Sequence, residues 1–93
     1  MFSGGSYEDV ARWLENFLTS HAKRENLRAE IDLEVGGERE GKPYGARLRL
    51  VGRVAALGDF EYAEVAQNRG SLAWCARLAE GVRAAVRDLA AAA

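Results

Sequence analysis

The stretch VGGEREGKPYG, residues 35–45, places Gly36, four residues and then Gly41-Lys42 in the spacing of a loop that wraps phosphate in backbone N–H groups. That chemistry needs a strand before the loop, a helix opening after it, and a Ser or Thr behind the lysine to hold magnesium. Only the strand is present. Pro43 stands where the hydroxyl is required, an alternating strand follows, and Glu38 and Glu40 would repel phosphate. The pattern assigns this stretch to a hairpin loop and not to a nucleotide site.

Cys75, in GSLAWCARL, is the second residue with reactive potential, because a thiolate near the start of a helix is stabilised by the helix dipole. At about 100° per residue, Leu72, Cys75, Ala79, Val82, Val86 and Leu89 fall on one stripe, with Arg77, Glu80, Arg87 and Asp88 away from it. Cys75 is therefore expected in the core, where a thiol is an inert small hydrophobe. His21 follows Phe17 by four residues, near the end of a helical segment, where imidazole tucks against the core or caps carbonyls. One cysteine and one histidine are too few for a zinc site. No two carboxylates sit together in an apolar cleft-forming segment. The expectation is a chain with no catalytic residue, no metal site and no cofactor: not an enzyme.

The segments that must position these residues read as alternating helix and strand. Ser6, with Glu8 and Asp9 behind it, opens a helix over residues 7–22, along which Val10, Trp13, Leu14, Phe17 and Leu18 recur at helical spacing. Leu27, Ala29, Ile31, Leu33 and Val35 then alternate with Arg28, Glu30, Asp32 and Glu34, the pattern of a half-buried strand. Ala46, Leu48, Leu50 and Val54 share one parity of the next run, and Arg47, Arg49 and Arg53 share the other. Antiparallel pairing around the glycine-rich connection sets Asp32 opposite Arg47, Glu30 opposite Arg49 and Ile31 opposite Leu48.

Gly58-Asp59 is expected to turn the chain into a third strand over FEYAEV, residues 60–65, since a lone hairpin is a poor platform for two helices. The competing assignment is a short helix over the same residues, capped by Asp59 and stopped at Gly70. Ser71 caps a last helix over residues 71–89. Gly81 interrupts it at a cost of about 1 kcal/mol relative to Ala, which close packing against a neighbour would explain. The expected fold class is α+β: an αβββα two-layer sandwich, a three-stranded antiparallel meander with two helices on one face.

Thirteen Lys and Arg against fourteen Asp and Glu give a formal net charge of -1, so no overall field draws the chain to nucleic acid or to an anionic membrane. No apolar run approaches the roughly 20 residues of a membrane span, and residues 1–6 lack the features of a secretory signal. With a single cysteine, these features set the expectation of a cytoplasmic chain. At 93 residues and 48% hydrophobic content the expectation is one small domain, frayed at residues 1–5 and 90–93.

In the meander pairing, Phe60 and Tyr62 share the outer strand face alongside Val51, and such a patch among charges often marks an association surface. The expected function is a small protein-interaction module, with a protein partner or a second copy at Val51, Phe60 and Tyr62. The alternative is a nucleic-acid-binding domain that meets phosphates with Arg47, Arg49 and Arg53 on a strand and Arg77, Arg83 and Arg87 on the last helix. In element order alone the chain resembles double-stranded RNA-binding domains. Those domains carry a basic, Lys-rich entry to the final helix, whereas here the entry is Gly70-Ser71-Leu72-Ala73 with only Arg69 nearby.

Overall fold

The computed structural model describes residues 6–34 and 43–92, so the phosphate-loop skeleton of Gly36, Gly41 and Lys42 lies outside the described residues. The chain is α+β, and its described residues form three helices and a three-stranded antiparallel sheet in the order β1-β2-β3. Its elements are α1 (Tyr7–Glu25), β1 (Glu30–Glu34), β2 (Tyr44–Leu50), β3 (Arg53–Phe60), α2 (Tyr62–Asn68) and α3 (Leu72–Ala91).

The Ser6 hydroxyl accepts the Asp9 N–H at 3.1 Å and so satisfies one of the unpaired donors at the start of α1. Glu8 and Asp9 lie in the first turn, Lys23 and Arg24 in the last, matching the two ends of the helix dipole. The spacing of Val10, Leu14, Leu18 and Ala22 puts all four on the buried stripe. The helix runs past residue 22 to Glu25, and Asn26 then ends it in extended backbone. Asn26 Oδ1 accepts the Arg28 N–H at 2.9 Å, a local turn that leaves Leu27 83% exposed instead of starting the strand.

The β1–β2 pairing has the expected register: Glu30 opposite Arg49, Ile31 opposite Leu48 and Asp32 opposite Arg47. Tyr44, Ala46, Leu48 and Leu50 are buried while Arg47 and Arg49 are exposed, so alternation sorts β2 into an apolar and a charged face. Tyr44, fully buried, donates its hydroxyl proton to the Tyr7 carbonyl at 2.7 Å and ties the strand to the first turn of α1.

The run from Ala46 to Val54 is not one strand. It breaks at Val51 (φ 47°) and Gly52 (φ 81°), a two-residue turn of the kind that joins tight hairpins. Leu50 then pairs with Arg53 and Arg49 with Val54, so the parity inverts: Arg53 joins the covered side and Val54, 59% exposed, joins the arginine side. The third strand is therefore residues 53–60, with Gly58 and Asp59 inside it and not in a turn. Partners shift between Ala46 and Arg47, leaving Leu57 as an extra residue in a bulge beside Gly58, whose φ of 121° suits only glycine.

With β3 formed upstream, residues 62–68 take the competing helical assignment, in which Ala63, Glu64, Ala66 and Gln67 are good helix formers. Its N-cap is Glu61, not Asp59. Val65 is buried, and the Tyr62 ring stacks on Tyr7 at 6.0 Å between centroids. The two-helix αβββα order is thus corrected to αβββαα. The Ser71 hydroxyl accepts the Trp74 N–H at 3.2 Å to open α3, which continues through Ala90 and Ala91. α1 packs on β1, α3 packs on β2 and β3, and α1 and α3 lie against each other. Among the described residues no helix is long and apolar enough to cross a membrane.

Candidate functional site

The expected interface of Val51, Phe60 and Tyr62 is not one patch. Phe60 pairs with buried Tyr44 and packs against the core, and Tyr62 belongs to α2. Val51 is 67% exposed in the β2–β3 turn, at the other end of β3 from Phe60. The outer face instead carries Glu30, Asp32 and Glu34 from β1, Arg47 and Arg49 from β2, and Val54 and Ala56 from β3. Reading through the turn reverses the faces of Arg53 and Val54 and sets the third strand at residues 60–65 instead of Arg53–Phe60, which displaces the patch.

The six arginines of the nucleic-acid alternative are scattered and mostly engaged. Arg49 donates to Asp32 and, at 3.0 Å, to Glu30; its hydrogen bond is the main reason the Asp32 carboxyl titrates below its ordinary value. Arg83 and Arg87 reach the half-buried Glu25 of α1 at 3.2 and 3.3 Å, and Arg87 also reaches Glu80 at 3.1 Å. Arg53 donates to the Leu89 carbonyl at 3.2 Å. Only Arg47 and Arg77 of the set make no hydrogen bond or ion pair among the described residues.

Cys75 is half-buried instead of fully enclosed, and its thiol donates to the Arg69 carbonyl at 3.6 Å. The His21 ring packs against Phe17 in a tilted arrangement with centroids 4.5 Å apart, and its Nδ1 is enclosed without a hydrogen-bond partner among the described residues. Burial, followed by the charges of Arg24 and Arg83, pushes the imidazole pKa down. No hydrogen bond joins His21 to Cys75. Among the described residues no cluster of three or more His, Cys, Asp or Glu is arranged to hold a metal ion.

A concavity with an apolar lining lies between β3 and α3. Arg53, at the start of β3, reaches the Leu89 carbonyl late in α3, while the later β3 residues Leu57 and Phe60 line the cleft with the earlier α3 residues Leu78 and Val82, so β3 and α3 run antiparallel along it. Leu57 and Phe60 from β3 and Leu78, Val82 and Ala85 from α3 line a cleft of about 270 Å³, together with Arg77 and Gly81. Pairing with β2 uses only one side of β3, so among the described residues no strand pairs with its other edge.

The same cleft explains how α3 departs from its expected stripe. Only Val82 and Val86 are buried along this 20-residue helix, and Leu72 is 88% exposed. Trp74, Leu78, Ala85 and Leu89 pack against the core while remaining partly exposed. The apolar periodicity of α3 was legible, but nothing in it indicated that the edge of a three-stranded sheet would leave that stripe half covered. Comparison of the chain with protein families, curated proteins and solved structures finds no match.

Proposed function

We propose that this chain is a small non-catalytic protein-interaction module that receives its partner in the cleft between β3 and α3. The observation that carries the proposal is the half-covered apolar lining of Leu57, Phe60, Leu78 and Ala85 beside an unpaired strand edge. A partly exposed apolar cleft with a single charged residue, Arg77, in its lining resembles the apolar core of an association surface. The reading includes a two-layer arrangement with the helices over one sheet face, supported by the burial of Tyr44, Ala46, Leu48 and Leu50 on one side of β2 and the exposure of Arg47 and Arg49 on the other. A cytoplasmic setting accords with the single free thiol of Cys75.

The test is affinity capture from native lysate with the wild-type chain and with Leu78→Asp, each confirmed as folded by circular dichroism. A bound protein, another copy of the chain included, that is retained by the wild type and lost by the variant is the expected result. Identical recoveries by both would overturn the assignment to the cleft.

A further inference from the structure

The two flanks of α3 are treated differently. On the flank toward α1, Glu80, Arg83 and Arg87 are joined to one another or to Glu25 by ion pairs. On the flank toward β3, Arg77 and Asp88 make no ion pair among the described residues. These two residues lie about three turns apart, so they fall on the same line along the helix at about 100° per residue. Between them on that line stand Gly81 and Ala84, giving the order Arg77, Gly81, Ala84, Asp88 at alternating spacings of four and three. This is the spacing of a seam that packs against another helix.

Gly81 is the residue that this chain alone does not explain. A glycine inside a helix is less stable than alanine by about 1 kcal/mol, and a Cβ at Gly81 would meet nothing within 4 Å. Among the described residues no neighbour requires its small size. The neighbour that would require it lies outside, and the charges on the seam say what that neighbour is. When two copies of a helix with a cation near one end of a seam and an anion near the other pack antiparallel about a twofold axis, each cation meets the partner's anion. Arg77 of one copy then faces Asp88 of the other, twice, and Gly81 faces Ala84, where small residues let the backbones approach closely.

The remaining elements accept the same axis. β3 runs antiparallel to α3, with Arg53 bonded to the Leu89 carbonyl and Leu57 and Phe60 sharing the cleft with Leu78 and Val82. An axis through the middle of the seam therefore also passes the middle of β3, near Ala56 and Leu57. The bulge at Leu57-Gly58 disrupts the regular strand edge there, which disfavours continuing the sheet from copy to copy and leaves helix packing as the main contact.

The geometry points to a second copy of this chain as the occupant of the α3 surface, packed antiparallel along Arg77, Gly81, Ala84 and Asp88 with Leu78 and Ala85 at the edge of the cleft. The inference rests on the protein-interaction reading and gives it a partner. The test is sedimentation velocity over a wide concentration range at low salt. The wild type is expected to form a reversible dimer that weakens as salt is raised. Arg77→Asp and Asp88→Arg should each raise the dissociation constant at least about tenfold through like-charge contacts, and the double exchange should recover most of that loss. Gly81→Gln, whose Cβ would meet nothing within 4 Å, should abolish the dimer while leaving the helical signal intact and the melting temperature unchanged or higher. A monomer at every concentration, or single reversals that leave the dissociation constant unchanged, would overturn the inference. Capture that depends on Leu78 without self-association would leave the module reading standing with a different partner.

Discussion

Tyr44 shows what a single residue contributes to this fold and how it escapes notice. Its ring is fully buried 4.5 Å from that of Tyr7, and its hydroxyl donates to the Tyr7 carbonyl. Burial foremost, with the neighbouring Tyr7 and Tyr62, holds the phenol protonated well above the ordinary tyrosine range. Removing only the hydroxyl, as Tyr44→Phe, should reduce stability by about 1 kcal/mol, read as a lower urea midpoint at unchanged slope. An unchanged midpoint would mean that the buried bond contributes nothing net. In the sequence the residue sat beside Pro43 in a stretch assigned to a loop. Its even parity with Ala46, Leu48 and Leu50 was the signal that the strand began earlier.

Among the elements, β1, β2 and their register were legible because two independent patterns agreed, apolar alternation beneath and opposite charges above. The β2–β3 turn was not, because Val51 is a poor resident of it. A β-branched residue at φ 47° occupies a region in which L residues are disfavoured by about 1–2 kcal/mol, and a Val-Gly pair carries none of the usual signals for a tight hairpin. Val51→Asn should therefore stabilise the chain by about 1 kcal/mol, visible as a rise in melting temperature. A fall would show that the exposed valine makes a contribution that its backbone conformation hides. The missed turn also displaced the third strand, and with it the candidate interface. The helix caps, where a hydroxyl three residues before its partner N–H leaves little ambiguity, were read correctly at Ser6 and Ser71.

The molecule as a whole should lose stability in acid in two stages. His21 binds its proton less tightly when folded than its ordinary value of 6.5, so the unfolded chain takes up protons first and stability falls as pH drops below that value. Asp32, held below its ordinary 3.8 chiefly by the hydrogen bond from Arg49, adds a second decline as pH falls through 3.8 and below. Melting temperatures from pH 8 to pH 3 should show both, and His21→Gln should remove the upper stage alone. A flat profile between about pH 7 and pH 5 would contradict the enclosure of the imidazole. The cleft was illegible at this scale because it depends on which strand ends the sheet, a property of the assembled topology. That topology also orders events during synthesis. The β1–β2–β3 meander is built from neighbours in sequence and can form as soon as its residues emerge, but Val82 and Val86 arrive only with α3. Until then α1 and the sheet present Leu14, Leu18 and Leu48 without the last helix over them, so the nascent chain passes through a sticky stage that ends when α3 is released to dock.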